Sequence, residues 1–352
     1  MMTYATLDGP RTISWRDKPL PNPGPGEVLV RIRAALTCGT DLKTFRRGHP
    51  KLQFGPFGHE ASGDVIAIGE GVTSFSPGDP VMWVQTAPCG GCEACRAAKE
   101  NLCEKLFDDI ALGAYGTHLL LPDKIVRRNL YRKPAHLSYM EAAFLEPLAC
   151  VVHGWSVLRR ANAREPLPHD VAIVGAGTIG LLHLLNAVQA GVHATVIARG
   201  ADRLDLAMRL GADEVLDAVK VEDDPADRAI NAARFDAVIE CGGTAESWNT
   251  AVRLVAPGGR VLLFGGLPAG ERVALDAGRI HYDELTLLGT FHFSPDDVRE
   301  ARDLLAGGAA NVKPLVSGIE PMSALPSVFE RLDKREGFKY ALVPEPARVG
   351  WI

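Results

Sequence analysis

Along the first third of the chain, apolar positions come in short runs broken by turn residues. Val28-Leu29-Val30 and Ile32 form a strand after the Pro/Gly-rich turn at 21–26, and turns at Gly69-Glu70-Gly71 and Ser76-Pro77-Gly78-Asp79 precede the run Val81-Met82-Trp83-Val84. This pattern predicts a β-rich unit, antiparallel or barrel-like. From Ser138 the texture changes. Residues 140–160 are rich in Ala, Leu and Glu, and Ser138 with Glu141 has capping-box spacing, so a helix starts there and is kinked or interrupted at Pro147. Beyond a loop with Pro166 and Pro168, strand-like runs at 171–174, 194–198, 214–216, 237–240, 261–264 and 285–288 alternate with helical runs such as 181–190, 201–210 and 245–255. That alternation predicts a doubly wound parallel sheet with helices on both faces.

After Asn311, short apolar runs at Leu315-Val316 and 340–343 flank a helix over 323–332, and this tail is expected to rejoin the first domain. No repeat or like-charge block stands out, and Glu222-Asp223-Asp224 reads as a solvated loop. The stretch 171–198 holds no Asp, Glu, Lys or Arg and is long enough to span a bilayer. Gly175, Gly177, Gly180 and Gly191, with His183, Asn186, Gln189 and His193, divide it into strand, turn, helix, turn and strand, so it is not expected to be a membrane helix.

At 352 residues the chain has room for two to three domains of about 150 residues. With 43 acids against 38 bases the net charge is −5, which argues against a nucleic-acid or anionic-membrane binder. Seven cysteines are too few for a disulfide scaffold of this size, and four of them fall at 89, 92, 95 and 103, a grouping that suggests metal in a reducing compartment. The N-terminus has no apolar core of signal-peptide length and carries Asp8, Arg11, Arg16 and Asp17, so a cytoplasmic protein is expected.

Gly175-Ala176-Gly177-Thr178-Ile179-Gly180 follows an apolar strand and opens a helix, the setting in which G-x-G-x-x-G binds a dinucleotide. The first glycine permits the turn, the second admits pyrophosphate, the third lets helix and strand approach, and the helix start offers N–H groups to the phosphates. A glycine turn without a ligand is the alternative. Where an acid for the NAD ribose is expected the sequence has Val196-Ile197-Ala198-Arg199-Gly200, so Arg199, with Arg203 one turn on, favours the 2′-phosphate of NADP. Asp202 keeps NAD open, and both arginines also fit a solvated helix start. Gly265, Gly266, Gly289 and Thr290, after the last two strands, are counted with the cofactor-binding residues.

Cys89, Cys92, Cys95 and Cys103 lie in a loop with Gly90 and Gly91, and four thiolates suit a closed, structural zinc. An iron–sulfur cluster is the competing reading, although its fourth cysteine usually follows more closely and precedes proline, whereas Glu104 follows here. Cys38, His59-Glu60 and Glu146 are each unremarkable alone. In their order the segments Cys38-Gly39-Thr40-Asp41, Gly58-His59-Glu60, the four cysteines, Glu146-Pro147-Leu148-Ala149-Cys150 and GAGTIG resemble the medium-chain zinc-dependent alcohol dehydrogenases over nearly the whole chain.

The resemblance implies a GroES-like catalytic domain (1–150 and 291–352, with the structural-zinc lobe at about 86–106), a Rossmann domain (151–290) and a catalytic zinc in the cleft between them. It also implies a homodimer or homotetramer. By position, Cys38 and His59 are zinc ligands and Glu60 ligates or stands beside the ion, while Glu146, where many relatives have cysteine, is similar to the sorbitol, threonine and glucose dehydrogenase branches. Cys150 and Cys241 match no ligand and are expected in the core. Thr40 occupies the place of the family's Ser/Thr that takes the substrate proton, and Lys43 that of a histidine passing it to solvent, an imperfect substitute because lysine stays charged unless desolvated. The implied reaction is hydride transfer between a secondary alcohol and NAD(P), with zinc as Lewis acid. Arg46, Arg47 and His49, within 45–50, tilt the substrate towards polyols, sugars or cyclitols, or else mark a solvated loop. The competing readings are a nucleotide-binding member of the same fold without turnover, and a zinc-independent quinone or alkene reductase.

Overall fold

The computed structural model describes residues 1–48, 54–165, 167–223 and 234–344, so His49, Pro50, Pro166 and Asp224 lie outside the described residues. The chain forms two compact units. The first comprises Met1–Ala149, Phe293–Gly307 and Val312–Ile352, and the second Cys150–His292 with Gly308–Asn311.

The first unit is built around the strand Val28–Leu36, most of whose residues are buried. It pairs antiparallel with Glu60–Ile68, His118–Leu121 and Lys339–Val343. The last pairing fixes the C-terminal tail within this unit: Ala341 lies opposite Leu36, and Leu36 in turn lies opposite Glu60. A smaller antiparallel sheet pairs Met2–Gly9 with Thr12–Lys18 and Gly55–Pro56. Apolar side chains from both sheets, from the helix Gly39–Arg47 and from the helix Leu325–Asp333 close one core. Phe329 lies at its centre, stacked on Phe45 at 5.2 Å and edge-on to Tyr115 at 5.9 Å.

In the second unit, Asp170–Val174, His193–Ala198, Glu214–Asp217, Phe235–Glu240, Val255–Leu263 and Thr286–Gly289 form one parallel sheet. Its spatial order is third, second, first, fourth, fifth, sixth. Strands buried on both faces read as continuous apolar runs rather than alternations, which is why VAIV and AVIE were conspicuous in the sequence. The order reverses between the first and fourth strands, where Val174 pairs with Glu240. Among the described residues no helix is long and apolar enough to cross a membrane.

Three local expectations change. The capping box at Ser138 forms, but it starts only the short helix Tyr139–Ala142, and a second helix runs over Leu145–Ala161. The break therefore precedes Pro147, which sits in the first turn of the second helix, where a missing N–H costs nothing. The fifth strand begins at Val255, well before 261, and passes Pro257 and Gly258 through a register shift against the fourth. Glu222 and Asp223 end the helix Ala218–Asp223 instead of lying in a loop.

Phe329→Ala removes a fully buried ring from the first unit's core. It is expected to cost about 3–5 kcal/mol of unfolding free energy, measured by urea denaturation.

Candidate functional site

The end of Val28–Leu36 gathers residues that are distant in sequence. Cys38 caps the helix Gly39–Arg47, its backbone extended at φ −123 and ψ 149, and its Sγ accepts from the Thr40 N–H at 3.4 Å. On the neighbouring strand, Glu60 follows His59. The donor atoms of Cys38, His59 and Glu60 all lie within 4.8 Å of one another.

Each donor is held from behind. His59 Nδ1 lies 3.2 Å from Asp41 Oδ1, and the Tyr115 hydroxyl donates to Asp41 Oδ2 at 2.7 Å. With Nδ1–H given to Asp41, Nε2 is left as the free lone pair, the usual arrangement of a metal-binding histidine. Glu60 is wholly buried and its Oε2 is ion-paired with Lys339 Nζ, which also donates to the Thr37 carbonyl at 2.7 Å. Glu60 Oε1 has no hydrogen-bond partner among the described residues. Burial pushes the Cys38 thiol above its ordinary range, with the Glu60 charge adding to the effect. Burial also raises Glu60, to about 7 against the pull of Lys339. For His59 burial acts downward, but Asp41 and Cys38 together outweigh it and raise the imidazole.

A half-buried thiol, a buried imidazole and a buried carboxylate with an orphaned oxygen, all converging, fit a divalent cation well. Such a set has the N, S and O donors that zinc takes, and three protein ligands leave the position a catalytic site requires. Glu146 falls outside this trio. Its Oε1 accepts from Gln85 Nε2 at 2.8 Å. Thr40 stands in the first turn after Cys38, and Lys43 is exposed on the same helix. A cavity of about 40 Å³ is lined by Thr40, Thr44, Phe54, Phe57, His59 and Leu112.

The four cysteines of the lobe also converge, their sulfurs within 4.8 Å of one another. Cys92 Sγ lies 3.5 Å from Cys95 Sγ and 3.8 Å from Cys103 Sγ, and Cys89 Sγ is 4.0 Å from Cys95 Sγ. Tetrahedral bonds of about 2.3 Å require sulfurs about 3.8 Å apart, so the set fits zinc. The Gly91 and Cys92 N–H groups bring Cys89 down to about 6, whereas burial pushes Cys95 up to about 12.

In the second unit, Gly175 takes φ +109 at the turn, and a Cβ on Gly180 would lie 1.8 Å from the Gly175 carbonyl oxygen. Gly177 caps the helix Thr178–Gln189, and a Cβ built there meets nothing within 4 Å. The turn is thus tight below and open above, at the N–H groups of a helix start, as a pyrophosphate cradle must be. Arg203 Nη1 donates to the Ala176 carbonyl at 3.0 Å, and Arg199 pairs with Glu246 at 3.5 Å with both side chains exposed. Gly265 lies against Gly243 and Glu240, and Gly289 ends the sixth strand with Thr290 next. Cys150 and Cys241 are half-buried rather than core residues: Cys150 lies within the helix Leu145–Ala161, and Cys241 follows the fourth strand and lies against Gly175 in the turn.

Lys339, Gln85, Tyr115 and Glu240 carried no signal in the sequence. Asp41 stood within Cys38-Gly39-Thr40-Asp41 but had no assigned role.

Residues 24–130 match the family described as alcohol dehydrogenase GroES-like domain, and residues 178–307 that described as zinc-binding dehydrogenase. D-xylulose reductase A of Aspergillus oryzae is 29% identical over 357 residues, covering 95% of this chain and 94% of the relative. A Sinorhizobium meliloti protein described as a zinc-binding dehydrogenase, solved bound to NADP, is 30% identical with a TM-score of 0.87, covering 98% of this chain and 99% of its own. Alcohol dehydrogenase TADH from Thermus sp. ATN1 is 27% identical with a TM-score of 0.83, covering 97% and 100%.

Lys339→Met leaves Glu60 as a buried carboxylate without its cation. A loss of about 3–5 kcal/mol in unfolding free energy is expected, with partial recovery in the double variant Lys339→Met, Glu60→Gln, both read from urea titrations in chelator.

Proposed function

This chain belongs to the medium-chain zinc-dependent alcohol dehydrogenase family, and from that premise we propose that it oxidises a secondary hydroxyl of a polyol, or reduces the matching ketose, with NAD(P). It is a zinc-type, NAD(P)-linked oxidoreductase. The reading rests chiefly on the convergence of Cys38, His59 and Glu60 at one strand end, in a chain whose other unit carries the open GAGTIG turn. The polyol class draws support from the D-xylulose reductase relative.

In this proposal Cys38, His59 and Glu60 hold the catalytic zinc with Glu146 beside them, and Cys89, Cys92, Cys95 and Cys103 hold a second, structural one. Bound zinc supplies a Lewis acid that makes a hydroxyl acidic near neutral pH. Asp41 and Tyr115 keep His59 in the tautomer that can ligate. The Thr40 hydroxyl accepts the proton leaving the substrate, and Lys43, exposed on the same helix, connects it to solvent. The Phe54, Phe57 and Leu112 side chains give the cavity beside Thr40 an apolar wall. Gly175, Gly177, Thr178, Ile179 and Gly180 take the pyrophosphate, with Gly265, Gly266, Gly289 and Thr290 along the other strand ends. Arg199 and Arg203 favour the 2′-phosphate of NADP, in keeping with the NADP-bound neighbour. We place the enzyme in the cytoplasm as a homodimer or homotetramer, with no nucleic-acid or membrane partner, from its thiol usage, its acidic charge and its family.

Metal analysis of the purified chain is expected to give two zinc ions, falling to one in Cys38→Ser. Polyols and ketoses offered with each coenzyme should change the absorbance of the reduced nicotinamide. One zinc, or no turnover with any secondary alcohol, overturns the reading in favour of a binding protein of this fold.

Thr40→Ala is expected to lower kcat by 10²–10⁴-fold with zinc content unchanged. Lys43→Ala is expected to alter the pH–rate profile, and an unchanged profile removes Lys43 from the proton path.

A further inference from the structure

Glu240 ends the fourth strand of the parallel sheet and is wholly buried, yet the reaction above makes no use of it. Its position is a specific one. It pairs with Val174, the residue before the GAGTIG turn, at the point where the strand order reverses. Ligands of open α/β sheets bind outside the carboxyl ends of the strands at such a point.

The carboxylate is fastened by three donors. Oε1 accepts from the Gly243 N–H at 2.7 Å and from the Ser247 hydroxyl at 2.7 Å, and Oε2 accepts from the Gly265 N–H at 3.2 Å. It thus ties the turn after the fourth strand to the turn after the fifth, and the two are packed so closely that a Cβ on Gly265 would lie 2.4 Å from the Gly243 nitrogen. Trp248 Nε1 holds the second turn from the other side, donating to the Gly265 carbonyl at 3.2 Å. Burial raises the Glu240 carboxyl, while Ser247 and the N–H groups pull it down. The Gly243 N–H on Oε1 and the Gly265 N–H on Oε2 cannot accept a proton from the carboxyl, so both favour its ionised form against the burial that raises it.

A doubly wound sheet of this order consists of two mononucleotide-binding halves. The GAGTIG turn and Arg199, at the ends of the first and second strands, belong to the half that receives the adenosine ribose. Glu240, Gly243 and Gly265, on the fourth and fifth strands, belong to the other, which receives the nicotinamide mononucleotide. Only the oxidised nicotinamide carries a ring charge of +1; hydride addition removes it.

We propose that Glu240 is a positioning residue for the nicotinamide half of the cofactor, which shapes that half through the Gly243 and Gly265 turns and, by its own negative charge, favours the oxidised form over the reduced one. This inference rests on the NAD(P) reading above. It concerns a residue that contacts the turns and not the reacting atoms. An anion fixed in that half would favour the cationic, oxidised form of a bound cofactor, and neutralising it would remove that preference.

The test measures dissociation constants of the purified, zinc-loaded chain for NAD(P)H by fluorescence, and for NAD(P)⁺ and ADP-ribose by competition, with a thermal melt of the ligand-free protein alongside. In Glu240→Gln, which is isosteric but uncharged, the ratio of oxidised to reduced affinity is expected to fall on the order of tenfold, the scale of one charge acting at an effective dielectric of about 20. ADP-ribose, which lacks the nicotinamide, should bind as before. Gly265→Ala, which displaces the turn but leaves the charge, should weaken both redox forms alike. An unchanged ratio in Glu240→Gln overturns the proposal, as does an equal loss for all three ligands, which is the mark of a merely structural residue. If Glu240→Gln melts before binding can be read, the Gly265→Ala series decides: unequal weakening of the two redox forms overturns it. A wild-type chain that binds no dinucleotide overturns the cofactor reading itself, so the two failures are distinguishable.

Discussion

The pairing of Lys339 with Glu60 is the interaction on which the first unit's chemistry depends. Both side chains are almost entirely removed from water, so each alone would cost several kcal/mol of desolvation, and only their contact, with the Thr37 carbonyl taking another lysine proton, makes the arrangement tenable. The contact also explains the tail. Strand Lys339–Val343 lies beside Val28–Leu36, and the register that sets Ala341 opposite Leu36 delivers the ammonium behind the donor trio. The half-buried Cys38 thiol and two buried carboxylates, Glu60 and Glu146, act on one another there. A permanent positive charge lets that much negative character persist whether or not a cation is bound. Burial lowers the affinity of Lys339 for its proton, and Glu60 and Cys38 more than restore it, so the lysine stays charged.

Much of this was legible from sequence, and what was not has a physical reason. The inner strands of the parallel sheet were visible because strands covered on both faces are apolar with little interruption, the edge strands because they continue the alternation with helices, and the GAGTIG turn because it has to be glycine at fixed offsets. The four cysteines were visible by their spacing, whereas Cys38, His59, Glu60 and Glu146, each unremarkable alone, stood out only through the order of motifs that resembles the family. Lys339 was not: a lysine in a short C-terminal strand looks like any surface lysine, and only the register of a strand pairing across some 300 residues reveals its partner. Tyr115 and Gln85 were missed for the same reason, since they touch the site only through Asp41 and Glu146. Local punctuation misled in two places. Pro147 was read as kinking or interrupting a helix but serves in a first turn, and the fifth strand, read as starting at 261, begins at Val255 and shifts register past Pro257-Gly258.

The two units manage buried charge by opposite means. In the first, side-chain charges answer one another: Lys339 faces Glu60, and Asp41 faces His59 with Tyr115 behind it. In the second, among the described residues, Glu240 has no ion-paired cation and is answered by backbone N–H groups and one hydroxyl. Dipoles of that kind stabilise a charge without cancelling it, so the field of Glu240 extends beyond its own cage, whereas that of Glu60 is largely quenched by its partner. A quenched carboxylate suits a donor to a metal. An unquenched one suits a site through which a cationic ring passes.

The choice between Glu60 and Glu146 as the proposed third donor follows from what already holds each of them. Glu60 keeps one oxygen on Lys339 and has the other without a hydrogen-bond partner among the described residues, in a position where Cys38 and His59 also converge. Glu146 is anchored at the start of the helix Leu145–Ala161, and Gln85 occupies one of its oxygens. A carboxylate shared with a lysine is a weaker donor than a free one, because part of its charge is already spent. A cation bound there would therefore have Cys38 and His59 as its firm donors and Glu60 as the weaker third, with Lys339 holding part of the charge of that third donor.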